Sequence, residues 1–164
     1  MIEFALVLPI LAVLFVGLVE FGEAFTLTRK LSNAAGTVSD LVSQQTDVST
    51  SELNDIALVA QEIIKPYRSA PLDLVIVSVV ADADNNTTVA WSHPASAYAA
   101  GTAYTLPNNS SADPNARMTE PHSSIIVAEA EYAFTPTVGS FLGSFTITER
   151  AYFRPRFSAV VTKN

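Results

Sequence analysis

The longest feature of the hydrophobic pattern is a run with no polar side chain at all, residues 4–19, FALVLPILAVLFVGLV. Acidic residues fence it, with Glu3 ahead and Glu20 and Glu23 behind. Sixteen residues make about 24 Å of helix at ~1.5 Å per residue. A bilayer core of about 30 Å takes ~20 residues, with ~17 near the lower limit. Met1 and Ile2, or a snorkelling Glu20, bring the segment into that range. A cleavable secretory signal would need a basic start and a small-residue cleavage site. Met-Ile-Glu and Glu20-Phe21-Gly22-Glu23 supply neither. A buried core helix would need apolar cover on every side. An uncleaved membrane anchor over residues 1–25 needs neither condition.

Within that anchor Pro9 removes one backbone hydrogen bond and favours a kink, which membrane helices tolerate. Glu3 falls in the first turn, where the helix dipole favours a carboxylate. Glu20 and Glu23, three apart, are expected to reach water at the other interface. No positive charge precedes the run, so the usual cue for insertion with the N-terminus inside is missing. One explanation is a basic leader removed ahead of it.

Past the anchor the period becomes amphipathic. Leu27, Leu31, Ala34, Val38 and Leu41 recur at steps of four and three, which continues the same helix to about Gln45. This stripe packs either on the protein's own sheet or, in part, on a neighbouring subunit; Gly36 could permit close approach. Ser49-Thr50-Ser51-Glu52 fits a capping box. The face Leu53, Ile56, Ala57, Ala60, Ile63 and Ile64 follows it, and Lys65-Pro66 stops it. This second helix is expected to lie against a sheet.

From Leu72 the period is extended. LDLVIVSVVADA is apolar on both faces and predicts a central strand. DADNN makes a turn, and TTVAWSH returns. SSIIVAEAEYAF alternates, with Ile126, Ala128, Ala130, Tyr132 and Phe134 on one face and Ile125, Val127, Glu129 and Glu131 on the other. SFTITERAYFRP pairs with it across a linker containing Gly139 and Gly143. Glu129 or Glu131 could then meet Arg150 across the strands, contributing roughly 0.2–1 kcal/mol if exposed. The intervening stretch, about residues 93–121, has no period, and a connection of that length is functional or disordered. The predicted fold is α+β and pilin-like: a long N-terminal helix with a membrane-spanning and an amphipathic half, a second helix, and an antiparallel sheet of about four strands. The domains are 1–25 as the transmembrane assembly helix and 26–164 as the extracytoplasmic domain.

Composition narrows the partners. Charged residues make up 15%, against about 25% in soluble domains, and the uncharged run 4–19 contributes to the deficit. A net charge of −7 with nine basic residues argues against nucleic acid, whose phosphates are bound mainly by Lys and Arg. The absence of cysteine excludes disulfides and thiolate metal sites.

Several residues then carry a resemblance. Glu3-Phe4-Ala5, Leu8-Pro9, Glu20-Phe21-Gly22 and Leu31-Ser32-Asn33-Ala34-Ala35 resemble the N-terminal region of the TadE-like pseudopilins of tight-adherence (Tad, or Flp) pilus systems. The likeness covers about the first 40 residues. Tyr132-Ala133-Phe134-Thr135-Pro136 and Arg154-Pro155-Arg156 resemble the family's C-terminal part. In that family a prepilin peptidase removes a short basic leader, leaving Glu at the fifth mature position; here the corresponding Glu3 is the third residue of the sequence. The resemblance implies a minor pilin or pseudopilin in the bacterial inner membrane or the pilus. Its partners would be other pilin subunits, the inner-membrane assembly machinery, the prepilin peptidase and membrane lipid. The residues it implies for subunit assembly are Glu3, Phe4, Pro9, Glu20 and Gly22.

Nothing in the motifs asks for chemistry beyond this. Asp82, Asp84 and Asn86 open like an EF-hand loop, but Thr87 and His93 stand where Gly and Glu are wanted, and a hairpin turn accounts for them. His93, His122 and Asp113 are too far apart in sequence to argue a metal site. No nucleophile elbow, Walker motif or dinucleotide fingerprint occurs. No catalytic residue, cofactor or metal ligand is therefore expected. A single-span envelope scaffold or receptor, with the long loop as its binding surface, is the alternative, and a tethered enzyme a third. Asparagine sequons in DNNTT and NNSS matter only in a glycosylating host.

Overall fold

A computed structural model describes residues 2–109, 113–136 and 143–164, without the side chains of Ile2, Glu3, Ala5, Leu6 and Pro114. One helix, α1, runs unbroken from Ile2–Ser43, 42 residues, or about 63 Å. It passes through Pro9 without interruption and ends two residues before the expected Gln45. A second helix, α2, spans Thr50–Ile63. The capping box is present: the Ser49 hydroxyl accepts the Glu52 N–H at 3.2 Å, and the Glu52 carboxylate accepts the Ser49 N–H at 2.8 Å. That pair holds the Glu52 carboxyl below its ordinary range.

Six strands occur among the described residues: β1 (Asp47–Val48), β2 (Leu72–Ala81), β3 (Thr87–His93), β4 (Ser124–Phe134), β5 (Phe145–Phe153) and β6 (Thr162–Lys163). The main sheet has the order β3-β2-β4-β5 and is antiparallel throughout. With helices and sheet segregated, the class is α+β. β2 is an inner strand, as its two apolar faces require. β1 and β6 form a separate parallel pair. Residues 137–142 of the β4–β5 linker, Gly139 among them, and Ser110 and Ser111 of the second sequon lie outside the described residues.

The inner face of the sheet is buried, and its outer face is covered in part, by different means. On its inner face Ile76, Ile126, Ala128, Ala130 and Ile147 join Leu27, Leu31, Ala34, Val38 and Val42 of α1 in one core. The α1 stripe therefore packs on the protein's own sheet. Its last position is Val42, fully buried, whereas Leu41 is only half-buried; the stripe follows the 3.6-residue helical period rather than a heptad. Ser39 Oγ donates to the Ile126 carbonyl at 2.9 Å.

Two expectations change here. α2 packs chiefly on α1 and not on the sheet. The inner face is already taken by α1 and by the C-terminal segment, whose Val161 carbonyl accepts Trp91 Nε1 at 2.8 Å. Nor is the long connection a free loop. Its Tyr104 and Leu106 are buried with Val77, Val79, Val89, Ile125 and Val127 on the outer face. Backbone bonds join Val89 to Thr102 and Gly101, and Tyr104 to Thr87, so this strap also shields the β3 edge.

Candidate functional site

The α1 surface changes character from Glu20 on, where a buried stripe begins on one side while Phe21 and Phe25 stay exposed on another. Ahead of Glu20 the apolar side chains face outward: Phe4 is 71%, Phe15 67% and Leu18 70% exposed, and Leu8, Ile10, Leu11 and Leu14 are also open. An apolar patch this continuous marks a membrane or protein contact rather than a water-facing surface. Pro9, Ile10, Val13 and Leu14 line a shallow groove of about 300 Å³ along it. Gly22 is exposed, and a Cβ built there would meet nothing within 4 Å. The protein's own packing therefore leaves room for a side chain at Gly22. Phe21 and Phe25 stack beside it, ring centroids 6.4 Å apart.

Glu20 does not reach water. Its side chain is fully buried, and neither carboxylate oxygen meets a hydrogen-bond donor among the described residues. The sequence gives the reason: Glu20 stands four and seven residues before Ala24 and Leu27, in phase with the buried stripe. Removing a carboxylate from water without a partner is costly, so this position is not tuned for stability. Glu23 is half-buried, and its backbone carbonyl accepts the Tyr67 hydroxyl at 3.1 Å.

Of the five assembly residues expected from the sequence, Phe4 and Pro9 fall on the exposed apolar half, and Glu20 and Gly22 at the junction with the domain. The Glu3 side chain lies outside the described residues. Along the helix Phe4 and Glu20 are about 24 Å apart, so these residues do not gather in one pocket: Phe4, Pro9 and Gly22 are exposed and Glu20 is buried.

Candidate chemistry elsewhere resolves into architecture. Asp82 Oδ1 accepts the N–H groups of Asp84 and Asn86 at 2.9 and 2.8 Å, a turn-closing role. The Asn86 side-chain amide, donating to Asp82 Oδ2 at 3.0 Å, and after it those backbone bonds hold the Asp82 carboxyl below its usual range. His93 pairs opposite Ile76, while the His122 N–H donates to the Ala81 carbonyl. Five residues of β2 separate the two, about 17 Å at ~3.3 Å per residue. No group of three or more potential metal ligands occurs among the described residues.

The Glu129–Arg150 pair forms as the strand alternation predicts, opposite in register and 3.1 Å apart. Its setting was not foreseeable. Glu129 is buried, and it also accepts the hydroxyls of Tyr104 at 2.6 Å and Tyr98 at 2.9 Å. Burial, then the bond to Glu129, pushes the Tyr104 phenol far above its ordinary range. The cluster locks the strap to the sheet.

Residues 1–39 match the family model of the TadE-like proteins. The TadE-like stretch thus takes in the exposed stem, the Glu20 junction and the buried stripe through Val38. It associates the chain with Tad pilus systems. The sheet, the strap and the Tyr132–Pro136 and Arg154–Arg156 motifs lie beyond the matched residues. Comparisons with curated proteins and with solved structures found no match.

Proposed function

We propose that the chain is a non-enzymatic minor pilin or pseudopilin of a Tad-type pilus. Residues 1–25 hold it in the bacterial inner membrane, and residues 26–164 stand outside the cytoplasm. The observation that carries this reading is the single helix of 42 residues, apolar and open in its first half and the core of the domain in its second. With no break between the halves, any pull on the stem passes directly to the domain. The TadE-like match, to a family that is generally structural, supports the same role. The partners are other pilin subunits, the inner-membrane assembly machinery, a prepilin peptidase and membrane lipid.

In this reading Phe4, Pro9 and Gly22 shape the face against neighbouring stems, where small residues and a proline groove let helices approach. Glu3 neutralises the N-terminal amine of an adjacent subunit inside the apolar bundle, fixing register, because either charge left unpaired there would be costly. The experiment is piliation of the native host carrying Glu3→Gln or Glu3→Ala. Loss of pili with the chain still folded in the membrane is expected. Normal piliation would remove Glu3 from assembly.

A second reading, a single-span envelope receptor, is favoured by one observation. A cleft of about 390 Å³ lies at the β2–β3 hairpin, lined in part by Asp84, Asn86, Thr105, Asn109 and Arg117. It sits at the end of the sheet away from the stem. A receptor would remain in membranes and be missing from sheared filaments.

A further inference from the structure

The segment after α2 descends along α1 toward the membrane. Lys30 Nζ donates to the carbonyls of Ile63 at 3.3 Å and Lys65 at 2.6 Å. Two residues on from Lys65, the Tyr67 hydroxyl reaches the Glu23 carbonyl. From Lys30 to Glu23 is about 10 Å of helix axis, and from Glu20 to Glu23 about 4.5 Å. The polar head-group layer on each side of a bilayer is about 5–7 Å deep. With Glu20 at the hydrocarbon edge, Tyr67 therefore lies inside that layer.

At this level a cleft of about 390 Å³ is lined by Pro66, Tyr67, Arg68, Pro71, Tyr132 and Phe134 among others. Arg68 is exposed and forms no ion pair among the described residues. Burial raises the Tyr67 and Tyr132 phenols above their ordinary range, with Glu23 adding to the effect on Tyr67. Both remain neutral hydrogen-bonding groups. Tyrosine and arginine at a membrane–water boundary suit an amphipathic layer of phosphates. The chain as a whole carries −7 and is repelled by an anionic surface, so attraction to one requires a local site.

We propose that this cleft receives the phosphate of an anionic phospholipid head group from the surrounding bilayer, with Arg68 as its cationic partner. The bound lipid seats the domain at a fixed depth until the subunit leaves the membrane. The proposal rests on the membrane-embedded stem described above.

The test titrates the full-length chain in neutral detergent with phosphatidylglycerol, phosphatidylcholine or inorganic phosphate, and counts retained adducts by native mass spectrometry. One phosphatidylglycerol should bind at least about fivefold more tightly than phosphatidylcholine, the effect of one basic group near an anionic head group. Arg68→Gln should abolish that preference. Arg29→Gln, the same charge loss outside the cleft, should keep it. Equal binding of the two lipids, or equal effects of the two substitutions, would overturn the site. Displacement of the lipid by an equal concentration of inorganic phosphate would overturn the lipid assignment. Alkali-resistant retention in phosphatidylcholine vesicles tests the stem separately. Retention of both wild type and Arg68→Gln leaves any failure to the cleft alone, and loss of wild-type retention overturns stem and cleft together.

Discussion

Replacing Glu20 by leucine should make the folded chain more stable and its assembly worse. The side chain is fully buried and both oxygens lack donors among the described residues. Burying such a group costs several kcal/mol in real proteins, and well-packed apolar replacements of buried ionic groups gain about 1–4 kcal/mol. Glu20→Leu fits this case because it extends the apolar stripe of Ala24, Leu27 and Leu31. Glu20→Gln keeps the shape but leaves an amide whose unsatisfied burial still costs about 1–3 kcal/mol. Glu20→Leu is expected to be more stable than both the Gln variant and the wild type. For a chain of this size about 1 kcal/mol moves Tm by roughly 2–4 °C, so Glu20→Leu should gain roughly 2–16 °C. The assay is thermal unfolding of the full chain in one detergent, paired with piliation of the host carrying each variant. A Leu variant less stable than wild type would refute the reasoning, because Glu20 would then have a stabilising partner in the isolated chain. A Leu variant that is more stable and fully piliated would free Glu20 of any assembly role.

Other consequences concern the domain. Tyr104→Phe removes a 2.6 Å bond to the buried Glu129 and should cost about 1.5–3 kcal/mol in denaturant unfolding. Tyr98→Phe should cost less, since Tyr98 is only half-buried. The phenols of Tyr67, Tyr98, Tyr104 and Tyr132 all titrate above their ordinary value when folded. The unfolded chain then holds fewer protons than the folded one above about pH 10, so stability is intact below that pH and falls as pH rises through the folded values. The tyrosinate absorbance of these four phenols and unfolding should rise together there; ionisation of more than one of the five phenols in a still-folded chain would contradict the shifts. Ser49→Ala opens the capping box of α2 and should cost about 1 kcal/mol, read as a lower unfolding midpoint without loss of the fold.

Much of this architecture is written in local pattern. The capping box at Ser49, the doubly apolar β2 and the alternation that sets Glu129 opposite Arg150 each follow from period and turn chemistry alone. What periodicity gives is a face and not the partner of that face, which is why α2 was expected on the sheet and sits on α1. Glu20 shows the same limit differently. Its phase with Leu27 was visible, but its charge suggested solvent, and only the packed structure shows it turned inward. The strap was opaque for another reason. Tyr98, Tyr104 and Leu106 follow no period because they are spaced to reach the outer sheet face across turns. The residues lining the Tyr67–Arg68 cleft come from the α2–β2 connection and the end of β4, and no sequence spacing joins them.

The central claim is that the exposed half of α1 is an assembly surface between pilus subunits. A photo-crosslinking residue in place of Phe15, which is 67% exposed, tests it in the native host. During pilus assembly an adduct with another pilin subunit is predicted, disappearing when the assembly machinery is inactivated. A correctly inserted chain that yields lipid adducts alone, with pili being made normally, would contradict it.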